Sequence, residues 1–387
     1  MSVHCNILYR YIMDPLYTEE KNIAQNPSST STGFAENIMS IKKHEKVIDR
    51  IEGVAAGIIK ALDREEVPLL SSESKNTEKC FTLSQSRSFT SALMVLSYCH
   101  SLLLSNRSTT TREVYYFFVT HFRNQRECEQ AIWDAADLLG VSRISLGLAA
   151  SPKGWFCGSL KIVRKNNITD AAALSSIQGL PITREWLEPE KDFEVRSNAS
   201  CILVIEKEGI YNRLSEDRFF ETVPCILVTG KGVPDLATRS LVWRLYQQFR
   251  LPVLGICDCN PYGIGVLFTY FRGSKRIGVD GEDRYSVPIE WLGLRPSQVE
   301  KLRKENKLPF DVYQKLTEFD RKKIKSYCHH SHDFHGSNHE RLQELLLMKR
   351  NGYKVELEAL QWIGVNYICH WLQETLQEYI NRRMKGV

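Results

Sequence analysis

The sequence lacks the features of several large classes of protein. No apolar run reaches the roughly 18 residues that a membrane span needs, so we expect no membrane-spanning segment. The start, MSVHCNILYRYIMDP, carries Arg10 inside its apolar part, so we expect no secretory signal peptide. The eleven cysteines show no spacing typical of a disulfide framework, which indicates a reducing compartment. No phosphate-binding P-loop is present, so any use of ATP would need a partner protein.

Strong net charge is also lacking, since the 387 residues carry only +5. Between Arg87 and Lys165, however, ten Lys/Arg stand against five Asp/Glu, so this one stretch matches the net charge of the whole chain. A basic stretch of this kind is either a surface that faces nucleic-acid phosphates or an ordinary solvated face.

The first predicted domain, residues 1–84, is an arm with one helix and is expected to be partly flexible. Residues 18–42 are rich in Ser, Thr and Asn and have little periodicity. Apolar residues recur at helical spacing over 44–63, and a second polar linker is predicted at 71–79.

The second predicted domain, residues 85–185, has the pattern of a winged helix-turn-helix of the CAP-like kind. Three helices are expected, at 88–105, within TTTREVYYFFVTHF and at 125–139. Two strands follow, ISLGLAA and WFCGSLKIV, and a turn with Lys153 at its tip joins them. Three helices and a β-hairpin in this order are typical of that fold.

The third predicted domain, residues 186–387, alternates apolar strands with helices and ends in a helical part. This alternation predicts a parallel sheet, and the whole chain is therefore a multidomain α+β and α/β protein. Glu206 ends the strand CILVIE and Asp258 ends VLGICD, and ligand sites lie at the carboxyl ends of parallel strands. Two carboxylates brought together there suit Mg²⁺. Alternatively, each acid caps the turn or helix that follows it.

One tyrosine stands out among the helical aromatic residues. Arg112 lies four residues before Tyr116 and therefore on the same helix face. A guanidinium favours the phenolate form and stabilises charge that builds on a phosphate. The alternative is that Tyr116, like its neighbours in REVYYFF, packs in the core.

The residues resemble the A subunit of topoisomerase VI and its eukaryotic relative, the meiotic double-strand-break family (Spo-eleven). The resemblance covers roughly residues 85–385, in collinear segments. They are TTTREVYYF, SRISLGLAASPKGWFCGSL, VIEKEGIYNRL, VTGKGVPDLATR, DCNPYG, WLGL and KVELEAL. GKGVPDLATR is especially similar to the meiotic branch.

The resemblance implies a winged-helix domain followed by a Toprim domain, in an enzyme that initiates meiotic recombination by DNA double-strand breaks. It implies that Tyr116 attacks a DNA phosphate to give a 5′-phosphotyrosyl link, that Arg112 assists, and that Glu206 and Asp258 bind Mg²⁺. It further implies a nuclear protein that acts on double-stranded DNA as a homodimer, with a topoisomerase VI B-like partner and other meiotic accessory proteins.

The sequence departs from the family at Asn260, where the family has the second acid of Asp-x-Asp. An amide carbonyl can bind a metal but brings no charge, so Asn260 is expected to be a weaker ligand and two tightly held metals are less favoured. Lys231, Arg239 and Lys153 are candidate contacts to DNA phosphates, and a solvated position on the helix surface is the alternative for Arg239.

Two further patterns have plain explanations. The run CHHSHDFHGSNHE, at 328–340, has the composition of a zinc site but not the spacing of one, so a surface loop is favoured. RKKIK at 321–325 is either a nuclear import signal or a solvated helix face, of which the helix face is favoured.

Two alternatives to the meiotic enzyme stay open. One is a topoisomerase VI A subunit that acts reversibly with an ATPase B subunit. The other is a DNA-binding scaffold whose Toprim site is weakened by Asn260.

Overall fold

The computed structural model of the chain falls into two compact units, divided after residue 150. The residues that it describes are 31–72, 77–80, 82, 84–148, 151–164, 167–173, 178–187, 193–272, 285–329 and 338–384. None of the described helices is long and apolar enough to cross a lipid bilayer.

The first unit is mainly helical. Its elements are α1 (Ser31–Asp63), β1 (Leu69–Ser72), β2 (Thr77–Cys80), α2 (Ser86–Leu104), α3 (Thr111–Phe117) and α4 (Gln125–Leu139). The three helices expected between 88 and 139 are present. Each buries side chains in a shared core, among them Val95, Val114 and Ile132. The polar linker predicted at 71–79 instead contributes to β1 and β2, which pair antiparallel.

The second unit is built on a six-stranded sheet. The strands of the second unit, six of which form this sheet, are β3 (Trp155–Gly158), β4 (Lys161–Arg164), β5 (Asn167–Asp170), β6 (Leu180–Pro181), β7 (Phe193–Arg196), β8 (Cys201–Ile205), β9 (Cys225–Thr229), β10 (Val253–Ile256), β11 (Ile289–Gly293), β12 (Gln314–Lys315) and β13 (Tyr353–Lys354). Its α-helices are α5 (Glu208–Glu216), α6 (Phe219–Thr222), α7 (Leu236–Phe249), α8 (Pro261–Arg272), α9 (Pro296–Lys304), α10 (Glu318–His329), α11 (Asn338–Asn351) and α12 (Tyr367–Met384). Short 3₁₀ helices lie at Arg184–Leu187, Phe310–Val312 and Leu357–Trp362.

The large sheet confirms the predicted parallel arrangement. Its strand order is β11-β10-β8-β9-β3-β6, in which β11, β10, β8 and β9 run parallel. Every residue of β8 and β9 is buried, as their nearly continuous apolar sequences require. Because β8 and β10 are neighbours and Ile205 pairs with Ile256, the residues that follow both strands leave the sheet at one edge.

Among the described residues of ISLGLAA and WFCGSLKIV, the predicted wing hairpin does not form. Residues 143–147 make turns, and β3 pairs antiparallel with β9 on one side and with β6 on the other. Both edges of β3 are therefore occupied by strands of the second unit. The predicted second strand is also divided at Gly158, whose φ of +101° bends the chain so that β4 joins a separate sheet with β5 and β7.

Candidate active site

The helix that carries Tyr116 is short and its start is firmly defined. Thr110 caps α3, because its side chain accepts a hydrogen bond from the Glu113 N–H at 3.1 Å. The Glu113 carboxylate accepts in return from the Thr110 N–H at 2.8 Å and from the Thr109 hydroxyl. This reciprocal cap satisfies backbone groups that a helix start otherwise leaves without partners.

Packing of the neighbouring residues orients Tyr116 outward. Val114 and Phe118 are buried in the core of the first unit, so one face of the helix is fixed. Tyr116 lies on the other face with 61% of its surface exposed, and Arg112 is exposed as well. Tyr115 is half-buried, with its ring centroid 5.5 Å from that of Tyr116. The core-packing alternative for Tyr116 therefore does not apply.

Glu206 and Asp258 meet at the carboxyl edge of the sheet, as predicted. The Asp258 N–H donates to Glu206 Oε2 at 3.0 Å, and the Glu206 N–H donates to the Ile256 carbonyl at 3.0 Å. Asp258 Oδ1 accepts from the Leu357 N–H at 2.8 Å. Each carboxylate keeps further lone pairs that these backbone bonds leave available.

Burial acts on both acids, and the charge of Asp258 also acts on Glu206. Burial, together with the charge of Asp258, raises the pKa of Glu206 to about 7. Burial also raises the pKa of Asp258, although the Leu357 N–H and the Lys207 ammonium oppose the change. Two buried carboxylates in such a position are stabilised by a cation.

A glycine leaves room beside the Glu206 carboxylate. A Cβ added to Gly263, in the first turn of α8, would lie 2.7 Å from Glu206 Oε2 and 2.8 Å from the Asp258 carbonyl oxygen. Any larger residue at 263 would therefore displace the carboxylate or the loop that holds Asp258.

Three charged residues near Asp258 were not predicted from the sequence as part of the site: Lys207, Glu356 and Glu358. Lys207 Nζ lies 3.3 Å from Asp258 Oδ2, 3.3 Å from Glu356 Oε2 and 3.1 Å from Glu358 Oε2. Burial alone would lower the pKa of Lys207, but the charges of Asp258 and Glu358 outweigh it and raise that pKa above its ordinary value. VIEKEGIY and KVELEAL, which contain these residues, were the only sequence signal.

Asn260, which the sequence suggests as a weaker metal ligand, uses both ends of its side-chain amide in hydrogen bonds. Its side-chain oxygen accepts from the Tyr262 and Gly263 N–H groups, both at 2.8 Å, so it caps the start of α8. Its amide donates to Asp258 Oδ2 at 3.3 Å. The carbonyl oxygen that a metal would bind accepts two hydrogen bonds here, and the amide contacts Asp258, so metal binding by Asn260 stays a prediction.

The donor set fits a magnesium ion that is only partly enclosed by protein. Within the described ranges, no group of three or more His, Cys, Asp or Glu side chains is arranged as a metal site. Glu206 and Asp258 supply two oxygen-bearing carboxylates, and Mg²⁺ typically uses one or two, with water and substrate phosphate completing its shell.

The candidate DNA contacts divide into two groups. Lys153 and Lys231 lie together: Lys153 Nζ donates to the Lys231 carbonyl at 3.0 Å, and Lys231 Nζ lies 2.7 Å from Glu208 Oε1. Arg239 is 1% exposed, so the alternative of a solvated helix surface is wrong for it. A guanidinium at that depth does not support a phosphate contact either, because the phosphate could not reach it without rearrangement of α7.

The histidine-rich run lies largely outside the described residues, which exclude 330–337. The basic run 321–325 belongs to α10, where Arg321, Lys322 and Lys325 are exposed and Ile324 is buried. That arrangement is the solvated helix face that was favoured.

Comparisons with known proteins place both units in one family. Residues 201–377 match the family model for the Toprim domain shared by Spo11 and the topoisomerase 6 A subunit, and residues 87–148 match "Type IIB DNA topoisomerase". The chain is 33% identical to the A subunit of DNA topoisomerase 6 from Arabidopsis thaliana, over 76% of this chain and 67% of that protein. It is 32% identical to Meiotic recombination protein SPO11-2 of Oryza sativa subsp. japonica, over 81% and 80%. It is 28% identical to Meiotic recombination protein SPO11 of Mus musculus, over 85% and 86%.

Proposed function

The chain belongs to the family of Spo11 and the topoisomerase VI A subunit, and from this premise we propose that it is the transesterase that makes meiotic DNA double-strand breaks. The observation that carries the proposal is the pairing of Glu206 with Asp258 at the carboxyl edge of a Toprim sheet, in a chain that also presents Tyr116 on an exposed helix face.

The reaction is an in-line displacement at phosphorus. The phenolic oxygen of Tyr116 forms a bond to a backbone phosphorus while the bond from that phosphorus to the 3′ oxygen breaks. The phenolic proton is lost to solvent, and the departing oxygen takes up a proton to leave a free 3′-hydroxyl. The protein stays attached through a 5′-phosphotyrosyl link.

The residues of this chain divide the work of binding and orientation. Arg112, four residues before Tyr116, presents a planar fork that matches two phosphate oxygens. Glu206 and Asp258 would hold Mg²⁺, which when bound would neutralise charge on the scissile phosphate. Lys153 and Lys231 lie close enough together to contact one stretch of DNA backbone.

The assembly follows that of the family. We place the chain in the nucleus as a homodimer on double-stranded DNA, where the tyrosine of one protomer serves the acid site of the other. A topoisomerase VI B-like partner would supply any ATP hydrolysis, together with other meiotic accessory proteins.

Detection of covalent protein–DNA adducts in meiotic cells tests the nucleophile. Wild type and Tyr116→Phe are compared, with Tyr115→Phe as the matched control. We expect adducts in wild type and Tyr115→Phe and none in Tyr116→Phe, while all three bind DNA equally in a gel-shift assay. Adducts in Tyr116→Phe would reject the assignment, and no adducts in wild type would favour a DNA-binding scaffold.

A second candidate is the A subunit of a topoisomerase VI, which the 33% identity to the Arabidopsis thaliana protein favours. Such a protein co-purifies with an ATPase and reseals the DNA that it cuts. Relaxation of supercoiled DNA in the presence of ATP by the co-purified complex would establish it.

A further inference from the structure

Lys207 holds a central position among the carboxylates of the acid site. It follows Glu206 directly and stands at the start of α5, and its side chain is 27% exposed. Its ammonium lies 3.3 Å from Asp258 Oδ2, the oxygen that does not accept the Leu357 N–H. A positive charge is therefore already present beside the Asp258 oxygen that accepts no hydrogen bond from the Leu357 N–H.

The same ammonium has two other carboxylates within reach. Glu356 Oε2 lies 3.3 Å away and Glu358 Oε2 lies 3.1 Å away, and both side chains are about half-exposed. If Lys207 left Asp258, these two carboxylates would keep it paired.

Backbone hydrogen bonds, and not only the ion pairs, hold the segment that carries Glu356 and Glu358 beside Asp258. Cys259 and Val355 exchange two hydrogen bonds, of 2.9 and 3.1 Å, and the Leu357 N–H holds Asp258. The segment 355–358 is thereby fixed beside Asp258, with Glu356 and Glu358 on either side of Leu357. The backbone that carries Glu356 and Glu358 is thus held beside Asp258 independently of the ammonium.

We propose that Lys207 is a positioning residue that stands in for a cation at Asp258 in the DNA-free protein and moves onto Glu356 and Glu358 when Mg²⁺ arrives. The ammonium and the metal compete for Asp258 Oδ2, so metal loading is disfavoured until another source of negative charge enters the site. The scissile phosphate is that source, which makes metal loading depend on DNA.

The inference rests on the metal site of the proposed function, but its test needs no cleavage. Mg²⁺ binding to the DNA-free protein is measured by calorimetry for wild type, Lys207→Met, Lys207→Gln and Asp258→Asn. Lys304→Met, which removes an exposed lysine of α9 that pairs with Glu300, is the matched control. Melting temperatures are recorded in EDTA and in Mg²⁺.

We expect both Lys207 variants to bind Mg²⁺ at least about fivefold more tightly than wild type, as for a typical coupling between two sites. They should melt lower in EDTA, where the carboxylates lose their counter-charge, and regain the loss in Mg²⁺. The gain in Mg²⁺ affinity on adding a DNA duplex should shrink. If Lys207→Met does not fold, Lys207→Gln retains the stem and a hydrogen-bonding end and gives the same readout.

A purely structural Lys207 would give weaker or unchanged Mg²⁺ binding in its variants, and that result would overturn the inference. If Asp258→Asn loses Mg²⁺ binding while the Lys207 variants match wild type, only the role of Lys207 fails. If Asp258→Asn binds Mg²⁺ as wild type does, the metal site fails and the inference falls with it.

Discussion

Tyr116 stands on a seven-residue helix with 61% of its surface exposed, whereas Asp258 is 4% exposed at the end of a central strand. The hydroxyl of Tyr116 has no hydrogen-bond partner among the described residues, while Asp258 has a backbone donor, an amide and an ammonium around it. The nucleophile is thus placed through its helix alone, and the acids are placed by many contacts. Substitutions at the acids should therefore act first on metal binding and cleavage, whereas loss of the helix cap near Tyr116 should act first on stability.

The largest effect expected at the acid site is that of Glu206→Gln. Cleavage should fall at least about 100-fold, because the charge that holds the metal is lost. The unfolding free energy of the metal-free protein should not fall, since Gln can still accept the Asp258 N–H and the repulsion between two buried charges disappears. Quantified adducts and urea unfolding in EDTA measure the two quantities. A variant that cuts normally would contradict the assignment.

Gly263→Ala should have the second-largest effect at the acid site. The added Cβ would lie 2.7 Å from Glu206 Oε2, so the carboxylate must move, and we expect Mg²⁺ affinity to fall by about 10- to 100-fold. Gly209→Ala is the matched control, because a Cβ there meets nothing within 4 Å. Calorimetry on both proteins checks this. Equal Mg²⁺ affinities would show that the acid site adapts more readily than its packing suggests.

Asn260→Asp adds a negative charge to the acid site, next to Asp258. The new carboxylate still caps α8, but it replaces the amide that donates to Asp258 Oδ2 with an acceptor. Without metal, the unfolding free energy should fall by about 1 kcal/mol, and Mg²⁺ binding should tighten several-fold. Asn260→Ala loses the cap without adding charge, so it should be destabilised without tighter binding. Tighter Mg²⁺ binding by the alanine variant would show that the added charge is not the cause.

Thr110→Ala removes the cap of the helix that carries Tyr116. Loss of the cap should cost about 1 kcal/mol of unfolding free energy, with a modest fall in cleavage because the helix start no longer fixes Tyr116. Thr111→Ala, at the first helical position, serves as the control. Thermal unfolding of the two variants checks the difference, and equal stabilities would mean that core packing alone sets the helix start.

The smallest effect concerns Glu127, near the start of α4. The hydrogen bond from Arg87 lowers the pKa of Glu127 to about 2, so the pair stabilises the folded state above the usual glutamate pKa of about 4.5. That contribution is lost as the pH falls towards 2. Because the pair is partly exposed, Glu127→Gln should lower the unfolding free energy by less than about 1 kcal/mol at pH 7. The difference from wild type should vanish in acid, and Glu129→Gln, which removes another carboxylate of the same helix, is the matched control.

Sequence periodicity predicted the parts of the fold that depend on local pattern. The bounds of α4, 125–139, were predicted as observed, and the alternating apolar strands indicated the parallel sheet. Glu206 and Asp258 could be placed at the same sheet edge because each follows an apolar strand of a parallel sheet, and the structure shows that the two strands are neighbours.

Long-range contacts explain what the sequence could not show. Lys207 meets Glu356 across 149 positions of the chain, and no local pattern encodes such a pairing. The strand at 155–158 has an ordinary hairpin sequence, but its partners are β9 and β6. Arg239 was expected near the surface because charged side chains are rarely fully buried, and the helix α7 places it inside.

The bond from the Leu357 N–H to Asp258 has a consequence for protein synthesis. The ribosome makes Asp258 ninety-nine residues before it makes Leu357, so the growing chain carries the aspartate without this backbone donor while those residues are added. Glu356 and Glu358 are also missing during that interval. A chain released early, for example by a premature stop codon before position 355, therefore lacks a finished acid site although it contains Tyr116, Glu206 and Asp258.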